Sequence, residues 1–167
     1  RSLKIDNKGA VIADIGAGSG YFTRRLAAEV PEGKVYAVDV DSTFEDYILD
    51  NREAWGTPNI EPRLAHYDHP MLPDGAVHLV LTANTYSFIR DRQSYFGKVN
   101  RALVDGGRVV IIDYRPEAQV PHKAAPEARF RVAEARVVEE MGTAGFSLDR
   151  AETFLPYQYY LVFTRAP

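Results

Sequence analysis

The run Val11-Ile12-Ala13-Asp14-Ile15-Gly16-Ala17-Gly18-Ser19-Gly20 takes a short apolar segment to an acid and then to three glycines at alternate positions. Tyr21–Val30 follows, with Phe22, Leu26 and Val30 on one helical face. The order is strand, glycine turn, helix. Glycine is needed where backbone bends through positive φ, or where a ligand presses on a main chain that has no Cβ. A helix start adds unpaired N–H groups. The spacing then separates two kinds of ligand. A dinucleotide fingerprint reads G-x-G-x-x-G, but here Gly20 follows Gly18 by two and Tyr21 stands where the third glycine would be. Asp14 would repel a diphosphate, whereas it suits an ammonium group.

The 167 residues are expected to form one domain, 1–167, with a core of useful size. A net charge of −3 disfavours a dedicated nucleic-acid binder. No apolar run approaches the ~18 residues of a membrane span, and no secretory signal is visible, so a cytoplasmic location is expected. Arg1 in place of Met implies that something upstream was removed or trimmed. Cysteine is absent, which excludes disulfides, thiolate metal sites and thiol nucleophiles. His66 and His69 flank Asp68, a triplet too poor in ligands to make a metal site, so no metal is expected.

Along the chain, Val11–Asp14 reads as a strand and Tyr21–Val30 as a helix. Lys34–Val40 is a second strand, ending at Asp39, and Asp41-Ser42-Thr43 offers cap chemistry for a helix whose inner face carries Phe44, Tyr47, Ile48 and Trp55. Asn59–Ala65 is a weaker strand, with Pro62 suiting a sheet edge. His66–Gly75 is a loop, and Ala76–Ala83 an apolar central strand. Asn84–Arg90 is a loop and Asp91–Leu103 a helix with Phe96, Val99 and Leu103 inward. Asp105-Gly106-Gly107 is expected to turn the chain into a strand over Arg108–Asp113. After a loop over Tyr114–Pro126, a helix is expected over Ala128–Ala144, with Phe130, Ala133, Val137 and Met141 on one face. Phe146–Thr153 and Tyr157–Thr164 close the chain as a hairpin. Such alternation is α/β with a parallel sheet, and a final hairpin adds one antiparallel strand.

Val11–Gly20, Val35–Asp41, Leu72–Leu81 and Leu103–Asp113 resemble the four successive motifs of class I S-adenosylmethionine-dependent methyltransferases, of the ubiquinone/menaquinone-biosynthesis (type 11) small-molecule kind. The tail Phe154-Leu155-Pro156-Tyr157-Gln158-Tyr159-Tyr160 is similar to tails in one bacterial branch of that group. The resemblance implies a Rossmann-like doubly wound seven-stranded sheet in the order 3-2-1-4-5-7-6, strand 7 antiparallel, with helices on both faces and an N-terminal cap that is short or missing here. It also implies S-adenosylmethionine as cofactor and a small-molecule methyl acceptor, with neither nucleic acid nor a membrane span involved.

Open parallel sheets bind ligands beyond the carboxyl ends of their strands. The expected cofactor residues are therefore Asp14, Gly16, Ala17, Gly18, Gly20, Asp39, Val40, Asp41, His66, Tyr67, Asp68 and Asn84. Asp39, about twenty residues past the glycine turn, would accept the ribose hydroxyls. Val40 and Asp41 would lie against the adenine, although Asp41 also suits a helix cap. Relatives usually carry an Asp after the third strand for the adenine amino group. His66 stands there in this chain, leaving Asp68 or the backbone of Tyr67 as substitutes. Ser87-Phe88 also follows Thr85-Tyr86 where that branch tends to have His. Candidate catalytic groups are Asp113 and His122 as bases and Tyr86 as an aromatic wall or hydrogen-bond partner. Two readings follow: an enzyme that methylates a small, apolar or aromatic molecule, or a cofactor-binding module of the same fold without chemistry.

Overall fold

The computed structural model describes residues 3–121 and 125–166, so His122 lies outside the described residues. Seven strands form one sheet: β1 (Val11–Ile15), β2 (Lys34–Asp39), β3 (Ile60–Leu64), β4 (Val77–Ala83), β5 (Leu103–Tyr114), β6 (Phe146–Glu152) and β7 (Gln158–Arg165). Their order is β3-β2-β1-β4-β5-β7-β6. Pairs from β3 to β5 are parallel, and β7 runs antiparallel to both β5 and β6. This is the expected Rossmann-like order. Four helices cover the sheet: α1 (Thr23–Glu29), α2 (Ser42–Asn51), α3 (Arg92–Ala102) and α4 (Glu134–Thr143).

Alternation along the strands divides the core in two. On one face Ile12, Val35, Ala37, Leu79, Leu81, Val110 and Val162 meet Leu26, Ala27 and Ile48 of α1 and α2. On the other Ala13, Val38, Val80, Val109, Ile111 and Leu161 meet Phe96, Val99, Val137 and Met141 of α3 and α4. Each fully buried Val, Leu, Ile, Phe or Met side chain among them contributes roughly 1.5–3 kcal/mol relative to exposure, and each Ala less. Pro62 lies in β3, which pairs only with β2, so its missing N–H breaks no second ladder.

Three expectations are corrected. The helix expected from Ala128 begins at Glu134; Ala128–Phe130 is a single 3₁₀ turn with Phe130 exposed. The residue that carried the apolar spacing there, Phe130, points to solvent, and Val132 enters the core instead. On α2 only Ile48 is buried, while Tyr47 is 46% exposed. The chain does not turn at Asp105-Gly106-Gly107, because β5 begins at Leu103. Its pairing with β4 jumps from Val77↔Leu103 to Leu79↔Arg108, and the intervening residues bulge. A Cβ on Gly107 would sit 2.9 Å from the Val104 carbonyl oxygen, which explains the glycine.

Candidate functional site

The glycine turn leaves the carboxyl end of β1 and is pinned to β2 by backbone. Gly16 and Ala17 N–H donate to the Val38 carbonyl oxygen at 2.8 and 3.1 Å. Gly16 has φ +78, and a Cβ there would meet Thr85 Oγ1 at 2.1 Å. Gly16 therefore serves the close approach of the loop after β4. Gly18 is different: its φ is +51, and a Cβ would meet nothing within 4 Å. Packing does not require a glycine at 18; only the backbone conformation does, and the side-chain position opens outward.

Asp39 closes the turn from the tip of β2. Its Oδ2 accepts from Gly18 N–H at 2.9 Å, and its Oδ1 from Val40 and Asp41 N–H at 2.8 and 3.2 Å. A carboxylate offers about four lone-pair positions, so acceptor capacity remains. Beneath the turn Asp14 is 2% exposed and accepts from the Thr23 hydroxyl at 2.6 Å. Burial pushes its carboxyl up to about 6; hydrogen bonds from Thr23 oppose the rise and the charge of Asp39 adds to it. α1 has no side-chain cap of its own, and Asp14 supplies an acceptor at its first residue from the neighbouring strand.

A cleft of about 240 Å³ opens beside this turn. Gly16, Asp39 and Val40 form one wall, Ala65, His66 and Tyr67 a second, and Thr85, Phe88, Ile89 and Tyr95 a third. It lies at the carboxyl ends of β1 to β4, where the strand order reverses.

Of the expected cofactor residues, Gly16, Asp39, Val40, His66 and Tyr67 line the cleft, and Gly18 borders it through Asp39. Asp14 lies buried beneath the turn, and Gly20 N–H donates to the Ala17 carbonyl oxygen at 2.9 Å within it. Asp41 caps α2, accepting from Thr43 N–H and Oγ1 at 2.9 and 2.7 Å, and these bonds hold its carboxyl below the usual range. Asp68 turns away from the cleft; its carboxylate is 80% exposed and 3.9 Å from Lys98 Nζ. Asn84, at φ +58, ties the β4 tip to β7 by accepting from Gln158 Nε2.

Of the catalytic candidates, the two among the described residues, Tyr86 and Asp113, do not line the cleft. Tyr86 is fully buried and donates to Glu140 Oε2 at 2.9 Å, so the aromatic wall is formed instead by Phe88, 65% exposed. Burial, then the hydrogen bond to Glu140, raise the Tyr86 phenol far above its usual value. Asp113 is 1% exposed and accepts from Ser87 and Tyr114 N–H at 3.1 and 2.8 Å; burial raises its carboxyl. It holds the loop after β4 in place. Among the described residues, no group of three or more His, Asp or Glu could hold a metal ion.

Two features were not visible in the sequence. Glu140 of α4 gathers Tyr86, Arg92 and Arg136 behind the site. Tyr95 of α3 reaches the cleft one residue before the apolar positions that marked the inner face of its helix.

The sequence profile of the methyltransferase domain matches residues 12–107, more than half of the chain. The chain belongs to that family. Its fold, strand order and motifs are those of the class I S-adenosylmethionine-dependent methyltransferases of type 11 kind. The methyltransferase domain is 29% identical over 133 residues to the demethylmenaquinone methyltransferase of Thermus thermophilus, covering 78% of this chain and 57% of that one. It is 28% identical over 101 residues to the malonyl-[acyl-carrier protein] O-methyltransferase of Hahella chejuensis, covering 59% of this chain and 34% of that one. It thus spans from about a third to somewhat over half the length of these relatives. Among solved structures, a SAM-dependent methyltransferase from Aquifex aeolicus superimposes with TM-score 0.86 at 23% identity, over 94% of this chain and 82% of that one. A type 11 methyltransferase from Sulfolobus solfataricus gives 0.75 at 26% identity, over 96% and 85%.

Proposed function

We propose that this domain binds S-adenosylmethionine in the cleft beside the glycine turn and transfers its methyl group to a small, apolar or aromatic acceptor. The observation that carries the reading is Gly18. It holds positive φ, with open space where a side chain would stand and its N–H on the Asp39 carboxylate. That is a cradle kept clear for a ligand, walled by an acid suited to ribose hydroxyls.

The bound cofactor would supply an activated sulfonium methyl group for in-line displacement. The remaining work falls to this chain and is mainly alignment and exclusion of water, worth up to about 7–11 kcal/mol. Asp39 would orient the ribose, and Gly16 to Gly18 would admit the cofactor to the backbone. Asp14, buried beneath the turn, would place negative charge under the ammonium end without touching the cleft. Asp113 acts as a positioning residue through Ser87. Phe88 and Tyr67, 65% and 73% exposed, present aromatic faces to an acceptor. Acidity overall favours a small-molecule acceptor over nucleic acid.

Titration calorimetry with S-adenosylhomocysteine, with NAD as the control, tests cofactor binding. Binding of the first and not the second is expected, and the reverse would overturn the reading. A scan of quinones, phenols and carboxylates for methyl transfer then tests the acceptor class; transfer confined to carboxylates would remove the apolar assignment.

A further inference from the structure

Five of the residues lining the cleft are buried: Ile15, Val38, Ala65, Ile89 and Tyr95. Four are aliphatic. Tyr95 alone among them carries a polar side-chain atom, and among the described residues its hydroxyl has no hydrogen-bond partner. Its residue is 4% exposed. The oxygen itself is not sealed from solvent, so a ligand that fills the cleft must offer it a hydrogen-bond partner or leave it unsatisfied.

Its position is firm. Tyr95 lies in the first turn of α3, where its N–H donates to the Asp91 carbonyl oxygen at 2.9 Å and Asp91 caps Ser94. Its ring packs edge-on to Phe96 with centroids 5.7 Å apart. Burial keeps the phenol protonated, and the charge of Asp39 across the cleft adds to this. The hydroxyl can therefore both donate and accept.

A flat heterocycle held between aliphatic walls must still satisfy its exocyclic amine. The acid on the neighbouring loop is not available for that, because Asp68 points to solvent and Lys98. We infer that the Tyr95 hydroxyl accepts from the 6-amino group of the cofactor's adenine, making Tyr95 a specificity-determining residue for the adenosyl moiety. This rests on the proposed binding of the cofactor in the same cleft.

The test uses Tyr95→Phe and two ligands, S-adenosylhomocysteine and its analogue with hydrogen in place of the 6-amino group. Calorimetry of the variant should give a roughly 3- to 10-fold loss of affinity for S-adenosylhomocysteine, the scale of one neutral hydrogen bond. On the analogue, wild type and variant should bind alike. The unliganded variant should melt close to the wild-type temperature, since the hydroxyl bonds none of the described residues, an outcome a purely structural tyrosine would not give. Unchanged affinity for both ligands, or an equal loss on both, overturns the inference while leaving cofactor binding intact. Failure of the wild-type protein to bind S-adenosylhomocysteine at all instead removes the reading beneath it.

Discussion

Asp14 and Glu140 are both buried carboxylates, 2% and 4% exposed, on opposite faces of one sheet. Their acidities move in opposite directions. Asp14 has one side-chain donor, Thr23, and burial takes its carboxyl up to about 6. Burial raises Glu140 too, but bonds from Arg92, Tyr86 and Arg136 outweigh it and bring the carboxyl down to about 2. Arg92 meets Glu140 through Nε at 2.6 Å and Nη2 at 2.9 Å, a two-pronged, charge-assisted contact. The difference is the supply of cations. Behind the site the charge is neutralised and the frame is locked; beneath the glycine turn Asp14 has no cationic partner among the described residues, where the proposed cofactor's ammonium group would supply one.

The sharpest break of this comparison is Glu140→Ala. It strands Arg92 and the Tyr86 hydroxyl, and urea unfolding should show a loss of about 3–5 kcal/mol. The folded fraction should still bind S-adenosylhomocysteine normally. A matching loss of affinity would mean that frame and cleft are one unit.

Asp39→Ala attacks the other side. Loss of charge-assisted bonds to ribose should weaken S-adenosylhomocysteine binding by about 2–4 kcal/mol. Asp39→Asn should lose less. Because Asp39 accepts three backbone N–H groups at the turn, the unliganded alanine variant should also melt earlier than wild type. Lower stability with unchanged affinity, read by calorimetry, would reduce Asp39 to a turn anchor.

The two acids should also part under pH. Asp14 is more easily protonated folded than unfolded, so its contribution is present below pH about 3.8 and lost as pH rises to about 6. The sign is reversed for Glu140, whose contribution is present above pH about 4.5 and lost as pH falls towards 2. Denaturant titrations across pH should therefore show stability declining by up to about 3 kcal/mol between pH 4 and 7 through Asp14. Asp14→Asn should flatten that limb alone. A decline that persists in Asp14→Asn would assign it elsewhere.

The smallest effect separates two glycines. Gly18→Ala should cost only the roughly 1–2 kcal/mol of a left-handed alanine, while binding of S-adenosylhomocysteine falls steeply. Gly16→Ala drives a methyl into Thr85 and should cost more stability. If Gly18→Ala bound the ligand normally, the open space at 18 would have no ligand in it.

The local rules carried a long way. Gly-x-Gly-x-Gly after Asp14 marked the turn, apolar runs marked most strands, and the closing hairpin foretold the antiparallel β7. They failed where periodicity had no packing behind it. Phe130 keeps helical spacing with Val137, yet only the residues from Glu134 onward form the helix. Asp105-Gly106-Gly107 has turn chemistry, but pairing with β4 draws it into a bulge.

What the amino-acid order by itself determined was the α/β class, the glycine turn and the acid that follows it about twenty residues later. Those follow from backbone sterics and from side-chain periods, which act over a few neighbours. Only the tertiary structure decided that Thr85 covers Gly16, that Glu140 collects Tyr86 and Arg92, and that Tyr95 lines the cleft. Each of these joins a side chain to partners on other elements. A hydrogen bond or a void is defined by two surfaces at once, and no local pattern specifies the second.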